Sequence, residues 1–290
     1  MTAAQARPAG HRHGALLIAA AALLWSTGGL FIKLAPMPGL AVAGARSLIT
    51  VLFYLAVLRP NLSRARWSTA LAYAAMIITF VSATKLTTAA NAIFLQYTSP
   101  VYVLLLSPWL LGERLRRRDV LPIVLSLFGL SLFFVGKVEP GHAAGNALGA
   151  ASGLFFGLSV LLLRRDARAT ATGTPGDAIP STTLGNLFAA CIALPFSWDG
   201  LHAAFTAPGP APLLALAGLL WLGVVQMGVA YLLFARGLAH TSAAEASLVS
   251  MLEPLLNPVW VLLGTGEHPG GWALAGGAVV LSSVLLRTLE

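Results

Sequence analysis

Charge is scarce in this sequence. Only 10% of its 290 residues are charged, against about a quarter in an average soluble domain. Long polar connectors are scarce as well, and no loop has room for a soluble domain. The one cysteine, Cys191, lies in an apolar run, so no internal disulfide can form and the redox compartment is left open. No Walker A pattern occurs. Gly136-Lys137 lacks both the upstream glycine and the following Ser or Thr, so no ATPase domain or subunit is implied. The six histidines (11, 13, 142, 202, 240 and 268) fall in tails, loops or segment ends without metal-ligand spacing. No metal or other cofactor is expected. An intramembrane enzyme should cluster its catalytic polar groups at one membrane face, and the sequence offers no such cluster.

What is abundant is apolar. Hydrophobic residues make up 57% of the chain, and the mean hydropathy is +0.81. A helix needs about 20 mostly apolar residues to cross the hydrocarbon. Ten segments meet this, near 14–33, 39–58, 67–84, 88–111, 119–136, 146–163, 181–198, 212–235, 242–263 and 271–287. The expected fold is an all-α integral membrane protein with ten transmembrane helices. Residues 1–13 read as a cytoplasmic tail. The run after them is long for a signal peptide and reads as an uncleaved first span. The longest connector, 164–180, is polar, Gly/Pro/Thr-rich and without periodicity.

The net charge of +8 is not a nucleic-acid footprint, because the basic residues sit in short loops beside apolar runs. With the N-terminus inside, fourteen Lys and Arg fall on the cytoplasmic side and three, Lys33, Lys85 and Lys137, on the outer side. That bias predicts a multi-pass protein of the cell membrane, the bacterial inner membrane, with both termini cytoplasmic. The one remaining cation, Arg46, lies inside a span.

Two stretches, TTAANAIFLQYTSPVYVLLLSPWLLGE at 87–113 and TSAAEASLVSMLEPLLNPVWVLLGTGE at 241–267, align without a gap. Span one (GALLIAAAALLWSTGGLFIK) likewise resembles span six (GNALGAASGLFFGLSVLLLR), placing Lys33 opposite Arg164. The chain thus divides into two five-span halves, 14–137 and 138–290. A unit with an odd number of spans re-enters the membrane in the opposite sense, which gives an inverted-topology repeat. Such a repeat suits alternating access: exchanging the conformations of the halves turns an outward cavity into an inward one.

Ten spans in two halves, Trp25-Ser26 followed by Lys33, Arg46 in span two, and the pairs Pro100…Gly112-Glu113 and Glu253-Pro254…Gly266-Glu267 resemble the EamA-type drug/metabolite transporter superfamily. The resemblance covers nearly the whole chain. Within the superfamily the chain is most similar to the bacterial aromatic amino-acid exporter group. The resemblance implies a secondary exporter of small organic solutes, amino acids that are aromatic or otherwise neutral, acting as a monomer or weak homodimer in the bilayer. A nucleotide-sugar or phosphorylated-metabolite carrier would need several cations lining its cavity. Only Arg46 is available, with Lys33 and Lys85 near the edge. A lipid flippase-like protein would need a charged lateral groove.

The residues that could carry transport follow from what is costly in a membrane. Pro100 and Pro254 fall at span centres, where a proline kinks the helix and leaves the carbonyls of Gln96 and Ser250 without their donors. They read as paired hinges or cavity walls, or more plainly as static kinks. Glu253 has Ser99 as its counterpart in the first half. A carboxylate at mid-bilayer should face the bundle interior, as a proton site, a partner for a substrate amine, or a structural partner of Arg46. Arg46 itself suits a substrate carboxylate, a protein carboxylate or snorkelling. Glu245 is expected near water. Glu113 and Glu267 close their motifs and read as structural or gating. Candidates for a mostly apolar substrate cavity are Trp25, Ser26, Tyr73, Asn91, Gln96, Tyr97, Ser99, Tyr102, Gln226, Tyr231 and Ser250. Trp67, Trp109 and Trp272 fit an interfacial belt. Gly149, Gly153 and Gly157 form a small-residue face for close helix contact.

Overall fold

A computed structural model of the protein describes residues 10–87, 89–113, 117–133, 135, 142–168, 178–256, 260 and 271–289. Among them the secondary structure is helical throughout, without a strand. In hydrocarbon a backbone must satisfy its own polar groups, and a helix does so within one segment. Seven described helices are long and apolar enough to cross a membrane, and two shorter apolar ones cover 120–132 and 274–286. The stretch expected as the ninth span is described only in part, so the described residues do not establish the count of ten. Pro258, Glu267, Lys137 and Arg7 lie outside them.

The first half comprises α1 (Gly10–Trp25), α2 (Gly28–Leu34), α3 (Gly39–Val57), α4 (Trp67–Leu86), α5 (Ala89–Gln96), α6 (Ser99–Leu111) and α7 (Arg117–Phe133). The second comprises α8 (Ala143–Arg168), α9 (Ala178–Ala193), α10 (Trp198–Thr206), α11 (Ala211–Leu220), a π-helical segment (Trp221–Val229), α12 (Ala230–Leu238), α13 (Ala243–Ser250) and α14 (Gly271–Leu289). Large apolar side chains stand on the outside: Trp109 is 88% exposed and Leu213 70%. Such a surface belongs in lipid. The exposed Trp67 and Trp272 suit its edges.

The packing follows the repeat. α1 lies on α12 as α4 lies on α8, α13 on α1 as α5 and α6 on α8, and α3 on the π-helical segment as α4 on α9. The pairs α3–α9, α6–α13 and α7–α14 join equivalent helices. Exchanging the halves therefore maps each of these contacts onto another of the same set. The same exchange relates two caps: Lys33 Nζ donates to Thr87 O at the end of α4 (3.2 Å), and the Arg164 guanidinium donates to Leu238 O at the end of α12.

Several expectations change. α8 continues to Arg168 and α9 begins at Ala178, so the ends of the supposed 164–180 connector are helical. The reason is an ion cluster on its arginines, described below. α9 stops at Ala193 because Pro195 follows, and α10 occupies what read as a connector. Pro100 does not kink a continuous helix. The chain breaks at 97–98, and Pro100 sits in the first turn of α6, where its missing N–H costs least. The equivalent break falls at Met251, directly after α13.

The glycine face packs on the first of these breaks. A Cβ on Gly153 would come within 2.6 Å of Leu95 O and of Thr98 Oγ1, and one on Gly157 within 3.0 Å of Ser99 O. Substituting Gly153 by Ala should destabilise the protein by about 1–3 kcal/mol through overpacking against backbone. Gly218, where an added Cβ would meet nothing within 4 Å, should tolerate Ala. Thermal unfolding in detergent compares the two, and equal melting temperatures would refute the tight contact.

Candidate functional site

The helix breaks meet at the centre of the bundle. Because Pro254 has no N–H, the carbonyl of Ser250 is free to accept elsewhere. Tyr97, at the other break, reaches it: the hydroxyl is 3.0 Å from Ser250 O and 2.5 Å from Glu253 Oε2. Tyr97 is fully buried and Glu253 is 9% exposed. One phenolic proton serves two acceptors. With Glu253 ionised, Tyr97 donates to it. With Glu253 protonated, the carboxyl donates to Tyr97, which turns its own proton to Ser250 O. The node satisfies either charge state of the carboxyl.

Glu253 opens onto a cavity of about 30 Å³, room for about two waters. A larger solute enters only when the lining side chains part. Polar groups in its wall come from Arg46, Gln96, Gln226 and Glu253, and Trp25, Phe80, Phe156 and Tyr231 supply aromatic faces. Met76, Ile77 and Met227 complete it. The Trp25 ring lies 4.7 Å from that of Tyr231 and 6.1 Å from that of Phe156. Tyr73 backs Tyr231 edge-on at 4.8 Å.

Arg46 is buried, at 2% exposure. Its partner is the Gln226 amide oxygen (3.2 Å) rather than a carboxylate, and its Nε has no hydrogen-bond partner among the described residues. No ion pair joins Arg46 to Glu253 among those residues. One cation and one carboxylate therefore line the same cavity without neutralising each other directly.

Of the candidates, Trp25, Arg46, Gln96, Gln226, Tyr231 and Glu253 line the cavity, and Tyr73, Tyr97 and Ser250 stand directly behind the wall. Others lie elsewhere. Asn91 bonds Thr87 and Asn146 near the start of α8. Ser26 donates to Leu23 O and accepts from Trp260. Tyr102 packs beside Gly157, as does the backbone of Ser99. Glu245 is 2% exposed, not near water, because the N-terminus of α13 is covered by packing. Phe156 was missed, although the repeat pairs it with Trp25. Phe80, Met76, Ile77 and Met227 carry no signal that separates them from core.

A second cluster lies at the far end of α8. Glu113 accepts from Arg164 (3.3 Å), from Arg168 and from the N–H of Ala243 (3.3 Å). It thereby ties α6, α8 and the start of α13 together. Buried Asp166 accepts from Ser181 (2.7 Å) and pairs with Arg66 (3.5 Å) and Arg165 (3.4 Å).

The model of the EamA-like transporter family matches residues 12–135 and again residues 143–289. The chain belongs to that family. It is a multi-pass membrane transporter of small solutes built from two repeats. An uncharacterized transporter of Archaeoglobus fulgidus is 29% identical over 217 residues, covering 74% of this chain and 72% of that one. A permease-like protein of Bacillus subtilis, YdzE, is 36% identical over 73 residues, 24% of this transporter and 91% of the relative. One crystal structure superposes with a TM-score of 0.74 over 96% of the transporter and 98% of that chain, at 22% identity, a likeness of fold.

Replacing Tyr97 by Phe leaves Glu253 and Ser250 O without their shared donor. The transporter should lose about 1–3 kcal/mol of stability, seen as a lower melting temperature in detergent. Tyr102→Phe should leave the melting temperature unchanged, and matching losses would count against the node.

Proposed function

We propose that the transporter is a secondary exporter of amino acids, aromatic or otherwise neutral, working by alternating access in the bacterial inner membrane with both termini cytoplasmic. The observation that carries this is the pairing of Arg46 and Glu253 in one aromatic-walled cavity. An amino acid brings a carboxylate for the guanidinium and an ammonium for Glu253. The aromatic faces suit an aromatic side chain by stacking and the ammonium by cation–π attraction. A phosphorylated solute would need more than the single cation in this wall.

The two halves act as inverted repeats of one design, 14–137 and 138–290. Breaks at 97–98 and 251 supply equivalent pivots on either side of the cavity. The Glu113 and Asp166 clusters, placed on the cytoplasmic side by the charge bias, hold that side shut. Opening inward breaks these ion pairs. Glu253 serves as the proton site. The node with Tyr97 and Ser250 O keeps its hydrogen bonds in either charge state, so a proton can leave and return without an orphaned buried group.

Purified protein in liposomes should move labelled amino acids without ATP. A panel spanning aromatic, aliphatic and charged amino acids tests the class, and movement of none of them would sink the proposal.

An imposed pH gradient should change the wild-type rate by several-fold and leave Glu253→Gln without a response. If the mutant responds as the wild type does, Glu253 is not the coupling site.

A further inference from the structure

Gln226 stands in a segment whose backbone departs from the α-helix. Residues Trp221–Val229 form a π-helix, in which the N–H of Ala230 reaches Val225 O, five residues back. Such segments are rare and recur at functional sites. Here the departure is held by α3. Thr50 Oγ1 lies 2.8 Å from Gly223 O, and the Tyr54 hydroxyl donates to Gly228 O at 2.8 Å. Both side chains belong to the helix that carries Arg46. The π segment is thus fastened to α3 on either side of Gln226, the residue that meets Arg46.

The far side of the Gln226 amide is fitted as well. A Cβ on Gly28, at the start of α2, would come within 2.7 Å of Gln226 Nε2. Glycine at this position leaves the amide its seat. The amide is held between Gly28 and Arg46, and its oxygen faces the guanidinium at 3.2 Å.

An amide oxygen has the shape of a carboxylate oxygen and lacks its charge. We propose that Gln226 is the built-in stand-in for the substrate carboxylate on Arg46. The inference rests on the amino-acid reading above. When substrate is bound, its carboxylate takes the guanidinium, because a charge-assisted, bidentate contact is stronger than the neutral one it displaces. When substrate has left, the amide returns, so the unloaded carrier does not reorient around a buried cation stripped of its partner. A carrier that can reset unloaded performs net export. One that cannot is confined to exchanging one substrate molecule for another. Gln226 is therefore a positioning residue that decides between net export and exchange, and the choice of amide over carboxylate keeps Arg46 available to the solute.

The test uses full-length protein, with phenylalanine and its uncharged-carboxyl analogue phenylalaninamide as probes. In liposomes, Gln226→Leu should lower the ratio of net phenylalanine efflux to phenylalanine–phenylalanine exchange by about tenfold or more. If efflux and exchange fall together, or neither falls, the inference is overturned. In detergent, Gln226→Glu places a fixed carboxylate on Arg46. It should weaken phenylalanine binding by about tenfold or more and leave phenylalaninamide binding unchanged or tighter. Equal losses for both probes overturn the inference. This second variant decides the matter alone if Gln226→Leu does not fold. A wild type that moves phenylalanine while the variants behave otherwise condemns the role of Gln226 only. A wild type that neither binds nor moves any amino acid condemns the substrate reading, and this inference with it.

Discussion

A proline has no N–H to give, and in a membrane the carbonyl it deprives cannot turn to bulk water. At Pro254 the deprived carbonyl is that of Ser250, and the group that answers it, the Tyr97 hydroxyl, comes from the other half of the molecule. The same hydroxyl holds Glu253. One missing donor thus draws together the two broken helices, fixes the carboxylate in the cavity wall and joins the two repeats at their centre. The glycine face of α8 follows from the same constraint, since side chains there would collide with carbonyls near the opposite break.

The repeat supplies the scaffold and the departures from it supply the chemistry. Shared features are structural: the breaks, the exchange of neighbours, and the caps from Lys33 and Arg164. Unshared features gather around the cavity. Glu253 corresponds to Ser99 in the first half, and Arg46 corresponds to a span-seven segment, TTLGNLF, that carries no cation. The π-helical segment likewise occurs on one side alone among the described residues. In the proposed cycle, symmetry lets the cavity be approached from two sides, and the proposed substrate, with two different ends, calls for an asymmetric wall.

Much of this was legible in the sequence because a bilayer leaves few choices. Apolar length marks the helices, and a gapless internal alignment marks the halves. A carboxylate and a guanidinium in apolar runs had to face inward, and Arg46, Glu253, Gln226, Trp25, Gln96 and Tyr231 do line one cavity. The errors share a cause. Mid-helix kinks at Pro100 and Pro254 and a Glu245 near water each follow from one residue's own preferences. Each was decided by a neighbour distant in sequence.

The sequence by itself determined that this chain is a helical membrane protein made of two related halves, because hydrophobic length and repetition are properties of the chain read in order. Only the tertiary structure decided that Tyr97 serves Glu253 and Ser250, that Arg46 rests on an amide, and that Gln226 rides on a π-helix. Those contacts depend on which helix faces which, and on the hydrogen bonds that a buried backbone seeks across the bundle when its own ladder is interrupted.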